Sequence, residues 1–309
     1  MMTLSKIQEF PQQIILVDPE VADELIDYRF HLHQGPIDLV IDLRGCRDAV
    51  ARAEHRAQVR FATILEELVG ELYLLRQPIK NNSAENEIPQ GSVARRMWFA
   101  ACKFNRQFIT PMAAVAGAVA DELLQCLSAV PALQRAIVNN GGDIALWGAQ
   151  DQIFTIGLVE NPEALRLDHV GSKVRFSATE GVQGVATSGW RGRSQSLGIA
   201  DAVTVFAVDS ATADAAATLI ANAVNVESHS IIRAPANERH PDSDLGEQLV
   251  TVDVLTLTAN EVKRAMRAGA SIADVIVQRE DIHAVMIALA GRQEFLGALH
   301  SPASSIQPR

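Results

Sequence analysis

The sequence predicts an α+β fold, in which mixed and antiparallel sheets pack against a few long helices. Extended apolar runs such as Gln13–Val17, Ile37–Ile41 and Ala202–Val208 are interleaved with helical stripes, without the regular strand–helix alternation of a doubly wound sheet. Across Cys46–Leu75 the residues Phe61, Leu65, Leu68, Leu72 and Leu75 recur at three- and four-residue spacing, the mark of an amphipathic helix. Between Ala136–Val138 and Ile144–Trp147 sits Asn139-Asn140-Gly141-Gly142-Asp143, a hairpin tip whose glycines supply positive φ.

The remaining elements follow in order. Gln13–Val17 and Ile37–Ile41 read as edge strands separated by polar and Gly-Pro punctuation. Residues 77–92 are polar, contain proline and lack a period, which predicts an exposed or mobile loop. Ser92 is placed to cap a short helix through Asn105, and Thr110-Pro111 to start a longer one over Met112–Ser128. In that helix Ala113, Ala114, Ala116, Gly117, Ala118 and Ala120 leave room for another backbone to approach closely. Strands are predicted at Ile153–Val159, Val174–Ser177 and Ala202–Val208, then a helix over Ala211–Ala223. A strand at Gln248–Thr256, a helix at Asn260–Val277 and strands at Ile282–Leu289 and Glu294–Ala298 complete the chain, with Ser301–Arg309 expected to fray. The whole reads as one domain over residues 1–309.

Composition narrows the partners. The chain has 309 residues, 48% of them hydrophobic, enough to bury a substantial core. With 37 acidic against 27 basic residues and a formal charge of −10, it lacks the broad basic footprint that nucleic acid or an anionic lipid surface requires. A small-molecule or nucleotide ligand is expected instead. Cys46, Cys102 and Cys126 are far apart, so they form neither a disulfide framework nor a thiolate zinc site, and a reducing cytoplasm is expected. Met1–Phe10 has no apolar core of the secretory kind. The apolar stretch Pro111–Val130 is interrupted by Asp121 and Glu122, so it reads as a buried helix and no membrane span is expected. The same stretch would suit a homo-oligomer contact, but core burial explains it equally well.

Three places carry candidate chemistry. Gly141 and Gly142 free backbone amides near Asn140 and Asp143, which suits a phosphate, although an ordinary hairpin explains the same residues. Thr187-Ser188-Gly189 is followed by Arg191 and Arg193, and guanidinium groups bind phosphate oxygens bidentately. Asp214 and Thr218 lie four apart on one helix face, where a carboxylate and a hydroxyl can share Mg²⁺ or, more simply, Asp214 caps the helix. Asp201 is a further carboxylate in reach, as a general base or metal neighbour. The histidines lack zinc spacing: His31 and His33 alternate on a strand, His55, His283 and His300 are isolated, and His229 and His240 lie in the polar segment 226–248.

Taken in order, Asn140-Gly141-Gly142-Asp143-Ile144, Thr187-Ser188-Gly189, and Val203-Thr204-Val205 followed by Ala213-Asp214-Ala215-Ala216-Ala217-Thr218 resemble the ApbE-like superfamily, the FAD:protein FMN transferases. The resemblance covers about residues 108–225. It implies an ApbE-like fold, Mg²⁺ on Asp214 and Thr218, and FAD or a related nucleotide lined by the glycine turns, with FMN transfer or diphosphate hydrolysis as the reaction. Between the second and third motifs, where flavin transferases carry a His-Ile-Asp-Pro-type segment, this chain has only Trp190–Asp201, without histidine. It is thus similar to a branch of the superfamily that lacks that segment and has no assigned activity. Two further readings accompany the enzyme: a cofactor-binding protein without transfer chemistry, and an enzyme acting on a small non-flavin metabolite in the same cavity.

Overall fold

The computed structural model of the chain describes residues 24–80, 87–158, 173–279, 281–299 and 305–307. The expected strand Gln13–Val17 lies outside them, as do residues 81–86 of the loop and most of the tail.

A long hairpin, β1 (Leu25–Gln34) and β2 (Ile37–Cys46), is followed by α1 (Arg47–Gly70), α2 (Leu72–Leu75) and α3 (Ser92–Cys102). A 3-10 turn at Pro111–Ala114 leads into α4 (Val115–Ser128), then the hairpin of β3 (Leu133–Asn140) and β4 (Asp143–Gly148). Next come β5 (Ile153–Gly157), β6 (Lys173–Ser177), β7 (Gly184–Ser188), β8 (Ala202–Ala207) and α5 (Ser210–Ala223). The chain continues through β9 (Ile231–Pro235), α6 (Ala236–Arg239), β10 (Leu249–Val254), α7 (Ala259–Val277), β11 (Ile282–Leu289), β12 (Arg292–Gly297) and β13 (Ser305–Gln307).

The α+β reading holds. Eight strands form one sheet in the order β1-β2-β3-β4-β7-β8-β11-β12, with every neighbour antiparallel. A small sheet, β5-β6-β13, and the pair β9-β10 complete the strands. No helix among the described residues is long and apolar enough to cross a membrane.

The large sheet is buried on both faces at its centre, and β8 shows why its sequence is apolar but for the buried Thr204. Val203, Val205 and Ala207 face the helical layer of α1, α4, α5 and α7, whereas Ala202 and Phe206 face the small sheet. There Phe206 meets Phe176 edge-on at 6.0 Å. A strand covered on both sides needs no polar alternation.

Ile37–Ile41, expected as an edge strand, lies inside the large sheet, where β2 pairs with β1 on one side and β3 on the other. Two further local expectations change. Ser92 was expected to cap α3, but the cap residue is Gly91, and the Glu71 carboxylate accepts from the backbone N–H groups of Gln90 and Gly91 at 2.6 Å each. The Ser92 hydroxyl donates to Glu122 instead, at 2.7 Å. The Thr-Ser-Gly segment, read as a turn, contributes Thr187 and Ser188 to the interior strand β7. Its five residues are too few, and too rich in small side chains, for a strand period to be visible. Gly184, at the start of β7, lets the chain entering α5 pass close: a Cβ there would lie 2.1 Å from the Asp209 carbonyl carbon.

The small-residue face of α4 does admit another backbone. A Cβ on Gly117 would lie 2.2 Å from the Ser210 carbonyl oxygen, so only glycine allows the first turns of α4 and α5 to meet.

Candidate functional site

The site is built where those two helix N-termini meet, because each helix carries the carboxylate that satisfies the other. Helix N-termini leave backbone N–H groups without internal partners. On α4, the buried Asp121 accepts from Ser210 and Ala211 N–H at 2.9 and 2.8 Å, alongside the N-cap Asp209, which accepts from Thr212 N–H at 2.6 Å. On α5, Asp214 returns the arrangement, its Oδ2 accepting from Gly117 N–H at 3.0 Å. Asp214 therefore does cap a helix, but α4 and not its own.

The β3–β4 hairpin brings a second carboxylate to the same place. Gly141 and Gly142 take φ of 65° and 116°, which closes the tight turn, and Gly142 N–H donates to Asn139 Oδ1 at 2.8 Å. The Asn140 amide donates to the Ala116 carbonyl at 3.1 Å, tying the hairpin to the start of α4. Asp143 follows directly, with its Oδ1 accepting from Thr187 N–H at 3.2 Å. The Thr187 hydroxyl is in turn hydrogen-bonded to that of Thr204 at 2.9 Å.

Asp143, Arg193, Asp214 and Thr218 line one cavity of about 350 Å³. Thr218 projects one turn beyond Asp214, as helical spacing requires. The two carboxyls keep some surface on the cavity and are otherwise enclosed by protein. Burial pushes both well above the ordinary carboxylate range. For Asp214 the neighbouring Asp143 adds to the rise and the α4 backbone N–H groups oppose it. For Asp143 the Thr187 N–H and the Arg193 charge oppose it. Such a pair is comfortable only with protons or a cation between its members.

The predicted site residues thus fall into three groups. Asp143, Arg193, Asp214 and Thr218 share the cavity; Asn140 and Thr187 stand one hydrogen bond behind it, holding α4 and Asp143. Gly141 and Gly142 shape the turn, and the Arg193 guanidinium lies over Gly141, where a Cβ would sit 2.0 Å from its nitrogen. Arg191, Asp201, Ser188 and Gly189 are elsewhere. Arg191 Nε donates to Asp201 Oδ1 at 2.8 Å and stacks over Trp190 at 4.4 Å, while Asp201 Oδ2 accepts from Ala290 N–H at 2.6 Å. Ser188 pairs with Val203 between β7 and β8, and Gly189 passes close to the Asp201 carbonyl.

Sequence reasoning missed one wall of the cavity. His240, Asp242, Ser243 and Asp244 line it from the segment after α6, and Asp244 accepts from the Thr110 hydroxyl at 2.5 Å. No period or motif marks that segment, so only the fold reveals its position.

Among the described residues no three His, Cys, Asp or Glu side chains converge on a point where they could hold a metal ion. Asp143, Asp214 and Thr218 are the oxygen donors that could hold a hard cation such as Mg²⁺, which takes one or two protein carboxylates and completes its shell with water and phosphate oxygens, and Arg193 could pair with such a phosphate oxygen.

The chain is 40% identical over 159 residues to a UPF0280 protein of Methanocaldococcus jannaschii, covering 50% of this chain and 60% of that one. It is 37% identical over 163 residues to a UPF0280 protein of Methanococcus maripaludis, covering 52% and 64%. The chain thus spans about three fifths of the length of these curated relatives. It is similar to the apo crystal structure of Pseudomonas stutzeri flavinyl transferase ApbE, at 12% identity and a TM-score of 0.49, over 88% of this chain and 94% of that one. The profile of the family described as AbpE bacteria matches residues 21–295, nearly the whole chain, and the chain belongs to that family.

Proposed function

We propose that this protein binds the diphosphate of a flavin or related nucleotide together with Mg²⁺, and performs phosphoryl chemistry there. The observation that carries the reading is the meeting of Asp143, Asp214, Thr218 and Arg193 on one cavity. Asp143, Asp214 and Thr218 supply hard oxygen donors for the cation, and Arg193 supplies a fixed positive charge for a phosphate oxygen. Bound there, Mg²⁺ would supply charge neutralisation at the phosphoryl oxygens. The protein's own contribution is preorganisation: Asp214 is held by the α4 N-terminus and Asp143 by β7, so neither carboxylate must be ordered when ligand arrives.

The decisive experiment is turnover and binding of FAD with and without Mg²⁺, in the wild type and in Asp214→Ala. Loss of Mg²⁺-dependent binding and of FMN release in the variant supports the assignment; unaffected binding and turnover contradict it. The cavity volume of about 350 Å³ favours a second reading, because it lies at the small end of ligand pockets and suits a small phosphorylated metabolite. That reading expects no thermal stabilisation by FAD but a clear shift with a smaller phosphorylated ligand.

A further inference from the structure

Phosphoryl transfer to water or a hydroxyl releases a proton, and in the function proposed above each of the assigned residues already has another task. Arg193 is a permanent cation, Thr218 offers a weakly acidic hydroxyl, and Asp143 and Asp214 are the enclosed pair that would hold the cation. Among the described residues the same cavity is lined by one imidazole, that of His240, an exposed residue on the segment after α6. Imidazole is the side chain best suited to take and return a proton near neutral pH.

The segment carrying it is anchored. The His240 backbone N–H donates to the Ala236 carbonyl and its carbonyl accepts from Ser243 N–H, both at 2.9 Å. The Ser243 hydroxyl donates to Gln195 Oε1 at 2.5 Å, and Gln195 Nε2 donates to the Ala236 carbonyl at 2.9 Å. Together with the Thr110–Asp244 bond, these contacts fix the segment to two other walls of the cavity. The charged groups facing the same space are Asp242 and Asp244 from this segment, Arg193 from the loop after β7, Asp143 from β4 and Asp214 from α5. The cavity is small, so a ligand that fills it from floor to rim touches both the carboxyls and the imidazole.

We propose that His240 is a catalytic residue, the proton acceptor for the nucleophile that attacks the bound diphosphate; this rests on the function proposed above. In the step it serves, the oxygen of water or of an acceptor hydroxyl forms a bond to one phosphorus, and the bridging P–O bond breaks. The electron pair of that bond leaves with the departing phosphate. The proton of the nucleophile passes to His240 and then to solvent, and no oxidant or reductant is involved.

The test uses the full chain with Mg²⁺ and FAD, following release of FMN and AMP alongside binding by calorimetry. His240→Gln and His240→Gly should bind FAD as the wild type does while release falls by about 100-fold or more. Free imidazole should restore part of the rate in His240→Gly, which a structural role would not produce. Independently of turnover, the imidazole C–H resonances of His240 should shift when Mg²⁺ and ADP are added. Release at the wild-type rate in either variant, resonances that do not move, or wild-type binding without release would each overturn the role of His240 while leaving the binding site intact. Absence of Mg²⁺-dependent binding of FAD and of ADP in the wild type would overturn the functional reading itself, and the inference with it.

Discussion

Asp121 and Asp214 do the same thing for each other's helices, yet only one of them faces the cavity. Burial, reinforced by Asp209, pushes Asp121 up to about 7, while its two backbone bonds pull the other way. An acid with a raised folded value keeps its proton after the unfolded chain has lost it. Between pH 4 and 7 the unfolded state therefore binds fewer protons at this position, and stability falls as pH rises, levelling off above 7. The difference in Tm between Asp121→Asn and the wild type should accordingly move in the variant's favour from pH 4 to pH 7. A difference that stays flat over that window contradicts the assignment. Taking the difference between the two proteins matters, because Glu67, Glu122 and Glu261 are held below their ordinary values and act in the opposite direction. At Asp214 the distinction between cap and ligand is itself testable. Asp214→Asn keeps an acceptor for Gly117 N–H but removes the charge, so it should stay close to wild-type stability in urea titrations while losing Mg²⁺ affinity. Asp214→Ala should lose both, with the stability cost near the roughly 1 kcal/mol typical of a lost helix cap.

At the scale of elements, the crossing of α4 and α5 sets the site, and Gly117 sets the crossing. A side chain there must push against the Ser210 carbonyl, which belongs to backbone and cannot swing aside. Gly117→Val should therefore cost about 3 kcal/mol or more in urea unfolding, at the upper end of overpacked cores. It should weaken Mg²⁺ binding as well, because it separates Asp214 from its partner on α4. A variant of wild-type stability would show that the helices do not meet as closely as described. The sequence made this crossing partly legible: the run of alanines with Gly117 announced a close approach, but not which backbone would come near. Asp214 and Thr218 were legible through helical spacing, and Asp143 through its place after the glycine turn. Asp121 read only as an interruption in an apolar run, since its partners are 89 and 90 residues away in the chain. Arg191 and Arg193 looked equivalent in sequence, and only the path of the loop after β7 separates them, sending Arg191 to Asp201 and Arg193 to the cavity.

Across the whole molecule, the antiparallel sheet acts as the platform for these helices, with the small sheet closing its other face. Phe176, on β6, is fully buried between the small and large sheets, its ring centroid 5.7 Å from that of Phe154 and 6.0 Å from that of Phe206. Phe176→Ala should destabilise the fold by about 3–5 kcal/mol in chemical denaturation. Because this layer lies on the far face from the cavity, the folded fraction should still bind Mg²⁺. The fold class was legible because periodicity and turn chemistry are local properties. The cavity wall after α6 was not, because His240 and Asp244 reach the site only through tertiary contacts. The central claim is that a divalent cation and a diphosphate meet at Asp143, Asp214 and Thr218, and calorimetric titration of Mg²⁺ into the protein with FAD or ADP present tests it most directly. The account predicts one saturable Mg²⁺ site that needs the nucleotide, tightens as pH rises and the two carboxyls release their protons, and disappears in Asp214→Asn. Nucleotide binding that is indifferent to Mg²⁺, or a Mg²⁺ site that persists in Asp214→Asn, would contradict it.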